Sequence, residues 1–216
     1  QVVQWHPREG LEGAVARRVA HLEAYQNTAY ATRFQRWVQR VQEAEQRVMG
    51  PAQTRLTAVV AHQLFRLMAY KDEYEVARLH ADPAFAEQLA RQFEGGIKLR
   101  YHLAPPVWWG QGGVQAPAKR VFGGWMGPVF RVLAMGKGLR GTPLDPFGWT
   151  AERRAERAWV ARYEAALERV VAGLHAGNHA LAQEWLGATD TIKGFGHVKA
   201  RHQAAALSRW AVLAER

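Results

Sequence analysis

Cysteine is absent from all 216 residues of the sequence. Without thiols the chain cannot form a disulfide, a thiolate nucleophile, an iron–sulfur cluster held by four cysteines or a zinc site that uses cysteine. The sequence also has no secretory signal and no apolar run of about 18 residues that could span a bilayer. These absences fit a cytoplasmic location and a protein without a membrane partner.

Motifs for phosphate binding, serine hydrolysis and metal binding are also missing or incomplete. The glycines of 110–113 (GQGG) precede no helix that opens with Lys-Ser or Lys-Thr, so they fit no P-loop. Ser208 is the only serine, and no G-x-S-x-G motif occurs. His175 and His179 have the i,i+4 spacing of metal ligands, but Gly177 breaks the helix between them, which disfavours a metal site.

The net charge is +10, which invites a nucleic-acid-binding interpretation. In most helical segments, however, arginines stand beside glutamates, as in 151–170 (AERRAERAWVARYEAALERV), which is typical of a solvated helix face. Segment 101–150 is one-sided, because its only acidic residue is Asp145. Trp108 and Trp109 could stack on bases, but an apolar groove of a neighbouring domain is the favoured partner. A nucleic-acid-binding helical module is unfavoured and stays the alternative function.

The composition is that of a folded globular protein, with 48% apolar residues and nine tryptophans. Apolar residues recur with a period near 3.6, which predicts amphipathic helices. The predicted helical segments are 11–25, 29–49, 54–80, 83–93, 125–139, 151–173, 178–186 and 197–215. The first two are either separate helices or one long kinked helix. Segment 97–103 (IKLRYHL) alternates strictly and predicts a strand that pairs near 119–122. The sequence thus predicts a mainly α fold of about six to eight helices with a small β-ribbon near 97–122.

Several helix ends carry capping signals. Asn27 or Thr28 could cap the helix over 29–49, and Gly50-Pro51 could end it. Asp82 followed by proline predicts an N-cap with Pro at the first helical position.

Charged residues are concentrated in 67–79 (LMAYKDEYEVARL). If Asp72, Glu73 and Glu75 were buried beside a cleft, they could support acid–base chemistry, and the chain would be an autonomous hydrolase or transferase. The favoured interpretation is a helix whose charges pair with one another and with Arg78 in a buried polar network or an interface.

Four blocks in the same order resemble the C-terminal region of bacterial indolepyruvate ferredoxin oxidoreductases, a family of 2-oxoacid oxidoreductases. The blocks are LMAYKDEYEVARL (67–79), KLRYHLAPP (98–106), LRGTPLDPFGWTAERRAER (139–157) and IKGFGHVKA (192–200). Residues 25–45 (YQNTAYATRFQRWVQRVQEAE) also resemble the segment just before that region. The likeness therefore covers nearly the whole chain.

The resemblance implies a parent enzyme that converts an aryl 2-oxoacid such as indolepyruvate, with CoA, to acyl-CoA and CO2. That enzyme uses thiamine diphosphate, magnesium and iron–sulfur clusters, and it reduces ferredoxin. This chain lacks the G-D-G motif with a distant Asn that holds magnesium diphosphate, and it lacks the cluster cysteines. The resemblance therefore implies a non-catalytic accessory domain without a cofactor of its own, whose partners are the catalytic domains or subunit and, through the basic segment 101–150, ferredoxin or CoA.

The first residue is Gln1 rather than Met, which suggests a domain from a longer protein. We expect 1–50 to be a linking helix pair that follows a catalytic domain, and 51–216 to be the C-terminal helical accessory domain.

No catalytic residue is carried over from the family. Polar residues in the matching blocks are instead candidates for a buried network or a domain interface: Lys71, Asp72, Glu73, Tyr74, Arg140, Asp145, Arg153, His197 and Lys199. An ion pair between Arg153 and Asp145 could fasten the connector 140–150. For His197, a capping or packing role is favoured over partner binding.

Overall fold

The computed structural model describes residues 10–93, 95, 98–103, 120–194 and 196–215, apart from the side chains at 86, 90, 196 and 197. The described residues form nine α-helices and two strands: α1 (Leu11–Tyr25), α2 (Thr28–Met49), α3 (Arg55–Met68), α4 (Glu73–Ala81), α5 (Pro83–Gln92), β1 (Tyr101–Leu103), β2 (Arg120–Phe122), α6 (Met126–Met135), α7 (Ala151–Gly173), α8 (His179–Gly187) and α9 (Gly196–Ala214). Two 3-10 turns, Gly136–Leu139 and Ala188–Thr191, follow α6 and α8. The predicted mainly α fold with a small β-ribbon is confirmed.

The chain divides into two compact units. The terminal unit comprises Gln1–Tyr70 and Ala155–Arg216, and the central unit comprises Lys71–Arg154. The terminal unit therefore draws helices from both ends of the sequence. The division predicted at residue 50, with a catalytic domain before it, stays a prediction. The boundaries between the two compact units fall instead after Tyr70 and after Arg154.

The terminal unit is built around bulky apolar side chains, because each of its helices buries one face. Its core includes the following side chains: Leu22, Tyr25, Phe34, Val41, Leu56, Leu64, Met68, Trp159, Tyr163, Leu167, Leu186 and Trp210. The Trp210 ring of α9 lies 5.7 Å from Trp159 and 5.8 Å from Trp185, centroid to centroid. Three of the nine tryptophans thus meet where α7, α8 and α9 pack.

The capping predictions for α2 and α5 are confirmed. Asn27 Oδ1 accepts a hydrogen bond from the Tyr30 amide at 2.9 Å, and α2 ends at Gly50, whose φ of 89° favours glycine. Asp82 Oδ1 accepts from the Ala84 amide at 2.9 Å, with proline at the first helical position.

The prediction of one helix over 54–80 is wrong, because the chain leaves the helix after Met68. The Tyr30 hydroxyl donates to the Met68 carbonyl at 3.1 Å, and the Tyr25 hydroxyl donates to the Tyr70 carbonyl at 2.9 Å. Carbonyls that the next helical turn would otherwise satisfy are thus satisfied by tyrosines. This break raises the helix count above the predicted six to eight.

The central unit packs α4 and α6 with the two-stranded sheet around a small apolar core. Tyr101 of β1 pairs antiparallel with Phe122 of β2, and the Tyr101 ring lies 5.0 Å from the Phe130 ring of α6. The predicted pairing of the ribbon is confirmed at 120–122, although β1 is shorter than the predicted strand. Residues 104–119, which include Trp108 and Trp109, lie outside the described residues.

Candidate functional site

A buried ion pair between Asp72 and Arg140 is the centre of the candidate site in the central unit. Arg140 Nε donates to Asp72 Oδ2 at 2.5 Å, and Arg140 Nη2 donates to Asp72 Oδ1 at 2.8 Å. The two side chains are 3% and 2% exposed. This bidentate geometry is the strongest form of a charge-assisted hydrogen bond between side chains.

Asp72 has a second role, because it is also the N-cap of α4. Its Oδ1 accepts a hydrogen bond from the Glu75 amide at 2.8 Å. A carboxylate at this position satisfies a free amide of the first turn and complements the positive end of the helix. One aspartate thus begins α4 and anchors Arg140, 68 residues later in the chain.

Asp145 organises the connector that follows Arg140. Its Oδ2 accepts from the Gly141 amide at 2.9 Å, and its Oδ1 accepts from the Phe147 amide at 3.1 Å and from the Tyr74 hydroxyl at 3.2 Å. Gly148 lies so close that an added Cβ would stand 2.5 Å from Asp145 Oδ2. Asp145 therefore holds a tight loop against α4.

Tyr74 joins the two carboxylate centres. The Arg140 guanidinium lies 5.5 Å from the Tyr74 ring centroid, and the Phe147 ring packs edge-on at 5.2 Å. Burial, and then the negative charge of Asp145 and the hydrogen bond to it, raise the pKa of Tyr74 far above its usual value. Tyr74 is therefore a neutral hydrogen-bond donor at physiological pH.

Further ion pairs surround this centre. Arg153 Nη2 contacts Glu73 Oε1 at 3.3 Å, and Arg78 contacts Glu75 through two hydrogen bonds of 2.7 and 2.8 Å. The predicted pair between Arg153 and Asp145 is wrong. Arg153 lies in the first turn of α7 and reaches the acidic first turn of α4, while the connector's own amides and a tyrosine take the Asp145 oxygens.

Lys71 and Lys199 make none of the contacts described for this cluster. Lys71 is exposed at the start of the central unit. Lys199 belongs to the terminal unit, where its Nζ contacts Glu156 Oε1 at 2.5 Å. The side chain of His197 lies outside the described residues.

Asp72, Tyr74, Arg140 and Asp145 together form what we call the clamp, because they hold the connector after Arg140 against α4. The geometry of the clamp suits a structural role better than a catalytic one. General acid–base catalysis requires a side chain within hydrogen-bond reach of a substrate. Asp72, Arg140 and Asp145 are each less than 5% exposed, and their charged atoms are engaged with one another or with backbone amides and Tyr74. Asp72 thus serves as the cap of α4, and Asp72, Glu73 and Glu75 each pair with an arginine.

The residues do not fit the cofactors of the parent enzyme implied by the resemblance. An iron–sulfur cluster needs thiolate ligands, which this sequence lacks. Magnesium diphosphate needs free oxygen ligands, whereas the Asp72 and Asp145 oxygens already accept the hydrogen bonds described above. Within the part of the chain that the structure describes, no three His, Asp or Glu side chains converge as metal ligands.

A second buried network, in the terminal unit, was not predicted. Glu45 of α2 is fully buried and accepts from the amides of Leu56 and Thr57, both at 2.8 Å, and from the Thr57 hydroxyl at 2.6 Å. It also accepts from His179 Nε2 at 2.9 Å when the imidazole is the tautomer with its hydrogen on Nε2. Burial raises the pKa of Glu45, but these hydrogen bonds outweigh it and hold the pKa below its usual value. The N-cap residue of α3, Thr54, makes no capping hydrogen bond with its side chain. Glu45, from another helix, supplies the cap of α3 instead.

The sequence held one signal for this network. Glu45 interrupts the apolar face of α2, and a charged residue at such a position requires a buried partner. The partners themselves are 11 to 134 residues away in the sequence, so spacing along α2 could not identify them.

In class, the molecule is a mainly α-helical protein whose buried charges form internal networks. The chain belongs to a family of unknown function (DUF6537), which it matches over residues 11–212. Neither a curated protein nor a solved structure matches the chain. Among the described residues, none of the helices is both long enough and apolar enough to cross a bilayer.

Proposed function

We propose that this chain is a non-catalytic helical domain of a 2-oxoacid:ferredoxin oxidoreductase of the indolepyruvate type, and that it serves assembly with the catalytic domains or subunit. The proposal starts from the four sequence blocks that resemble that family. The observation that carries the non-catalytic part is the burial of Asp72 and Arg140 against each other. Both residues belong to matching blocks, and both are committed to a structural pair.

The same blocks supply most of the clamp in the central unit. Residues 67–79 contribute the carboxylates and Tyr74, and 139–157 contribute Arg140, Asp145 and Arg153. Because these two blocks hold a connector against a helix, their resemblance favours a shared architecture over a shared chemistry. The activity of the parent enzyme then resides in other domains.

A nucleic-acid-binding function is less favoured, because many surface arginines of the terminal unit already face carboxylates. The pairs among the described residues include Arg33–Glu164, Arg40–Glu168, Arg66–Asp190 and Arg209–Glu184. Each pair reduces the positive potential that phosphates would meet. Titration with a labelled oligonucleotide at two salt concentrations tests this alternative, and tight binding with a steep salt slope would support it.

The test of the proposal uses the complete polypeptide or complex that contains this chain in the cell. We expect the purified material to reduce ferredoxin in the presence of indolepyruvate, CoA and thiamine diphosphate. In an Asp72→Asn variant we expect less assembled complex but unchanged turnover per assembled complex. Glu87→Gln on α5 is the control, because Glu87 is exposed and its ion pair with Arg91 is long, at 3.9 Å.

Two results would contradict the proposal. The first is purified material without any 2-oxoacid-dependent reduction of ferredoxin. The second is an assembled Asp72→Asn complex whose turnover falls by about a hundredfold or more, the loss expected for a general acid or base.

Contact with ferredoxin through the basic segment 101–150 is a separate part of the proposal. Arg140 cannot test it, because it is buried. The variants Arg120→Gln and Lys137→Gln in the parent enzyme should lower the rate of ferredoxin reduction and weaken its salt dependence. An unchanged rate and salt dependence would remove charge steering from the proposal.

A further inference from the structure

Helix α6 is apolar on two sides, although only one side meets the core of the central unit. The side chains on the core side are Met126, Val129, Phe130 and Leu133. The outer stripe, as we call it, consists of Pro128, Val132 and Met135 together with Trp125, the N-cap residue of α6. At 100° per residue the outer stripe covers about 80° of the helix circumference, away from the core side.

The outer stripe is strongly exposed. Trp125 is 62% exposed, Val132 is 64% and Met135 is 76%, and Leu139 in the next turn is 39%. Together they present on the order of 400 Å² of apolar surface, a size at which surface patches of single chains are often functional. A helix that is apolar on all sides is typical of a protein interior. The outer stripe is therefore suited to burial against another surface.

One positive charge, that of Arg131, borders the stripe on α6. Arg131 is exposed and lies beside it on α6, and no carboxylate of the described residues forms an ion pair with Arg131. Asp145 is the only acidic residue between 95 and 150 in the sequence, and it is buried within the clamp. A matching surface would therefore be apolar at its centre and would carry carboxylates at its rim.

This charge pattern disfavours a second copy of the chain as the partner. In a twofold dimer the same patch faces itself, so the positive edges of the two copies would approach each other. Like charges across an interface are destabilising. The patch is thus better suited to a surface of different composition.

We infer that the outer stripe of α6 is covered, in the parent enzyme, by an apolar surface of the catalytic part whose rim carries carboxylates near Arg131. The inference rests on the proposed function and names the surface through which that function would be exercised.

The absence of cysteine from the chain allows a direct test. Met135→Cys and, separately, Val212→Cys are introduced into the complete enzyme, and maleimide labelling is followed by mass spectrometry of the peptides. Val212 on α9 is the matched control, since it is exposed, at 55%, and lies in the terminal unit. We expect position 135 to label at least tenfold more slowly than position 212. Equal or faster labelling at 135 would overturn the inference.

The carboxylate rim is tested by reversing charge. With Met135→Cys in place, Arg131→Glu should increase the labelling rate at least threefold at low salt. Arg201→Glu, at an exposed position of α9, should leave that rate unchanged. If Arg131→Glu also leaves the rate unchanged, the carboxylate rim is rejected.

Other partners give different outcomes. Protection of position 135 in material that contains only copies of this chain would assign the stripe to self-association and overturn the inference. Protection that arises only on addition of anionic vesicles would assign it to a membrane surface and also overturn it. If the purified complex has no oxidoreductase activity but position 135 is protected by a different polypeptide, the proposed function fails while the docking surface stands.

Discussion

Replacing Asp72 should destabilise the central unit strongly, because it removes both a helix cap and one half of a buried ion pair. Asp72→Ala removes the N-cap of α4, which costs about 1 kcal/mol. It also leaves Arg140 buried without its counter-ion, and breaking a buried pair from one side costs about 3–5 kcal/mol. We therefore expect a total loss of about 4–6 kcal/mol in the free energy of unfolding.

Two further variants separate these contributions. Asn is as good an N-cap as Asp, so Asp72→Asn should retain the cap and lose only the charge, for a cost of about 3–5 kcal/mol. Adding Arg140→Met to Asp72→Asn removes the buried guanidinium as well. Since an apolar replacement of a buried ion pair is often neutral, the double variant should regain most of the loss.

The measurement combines urea unfolding with hydrogen exchange in α4. For a chain of this length each kcal/mol lowers Tm by about 2–4 °C, so Asp72→Ala should lower it by at least about 8 °C if the chain unfolds as one cooperative unit. If the central unit unfolds alone, the loss should appear as faster exchange of the Glu75 amide. Asp190→Asn is the control, because that exposed carboxylate should contribute about 1 kcal/mol or less. A loss below about 1.5 kcal/mol for Asp72→Ala would refute the reasoning.

Three further predictions concern single positions. Gly148→Ala should destabilise by about 1–3 kcal/mol in urea unfolding, because its Cβ would collide with Asp145, whereas Gly138→Ala, which has open space, should be nearly neutral. The hydrogen bonds that hold the pKa of Glu45 below 4.5 stabilise the fold above that pH, and this contribution is lost as the pH falls through the lowered pKa. Glu45→Gln should therefore flatten the dependence of Tm on pH between about 5 and 3, and an unchanged slope would count against the network. Trp210→Ala should cost about 3–5 kcal/mol in urea unfolding, and a loss below about 1 kcal/mol would mean that the tryptophan cluster contributes little.

Local signals predicted the elements of this fold well. The period of apolar residues indicated nearly every helix, because packing against one core imposes that period. Asn27 and Asp82 could be recognised as caps because their partners lie two or three residues away. Strict alternation indicated the β-ribbon for the same local reason.

The break between α3 and α4 could not be predicted in this way. Leu67 and Tyr74, which flank 69–72, lie about two helical turns apart and so keep the apolar period, and the pattern favours an uninterrupted helix. The hydroxyls that end α3 come from Tyr25 and Tyr30, which are 45 and 38 residues away from their acceptors. Contacts at that separation depend on the tertiary fold.

The polar partners show the same limit. Asp72 and Arg140 stood out in the sequence because they lie in the matching blocks, but their pairing across 68 residues did not. Arg153 was assigned to the wrong carboxylate because nearness in sequence favoured Asp145. Glu45 and His179, which form a buried pair, are 134 residues apart in the sequence. The only sequence signal for that pair was that Glu45 interrupts the apolar face of α2.

The order in which the two units are encoded affects their folding during synthesis. The core of the terminal unit requires Trp159 and Trp210, so it cannot close until residue 210 has left the ribosome. The central unit is complete at residue 154, about 60 residues earlier. During that interval Leu56, Leu64 and their neighbours on α3 lack their C-terminal partners and are available to chaperones.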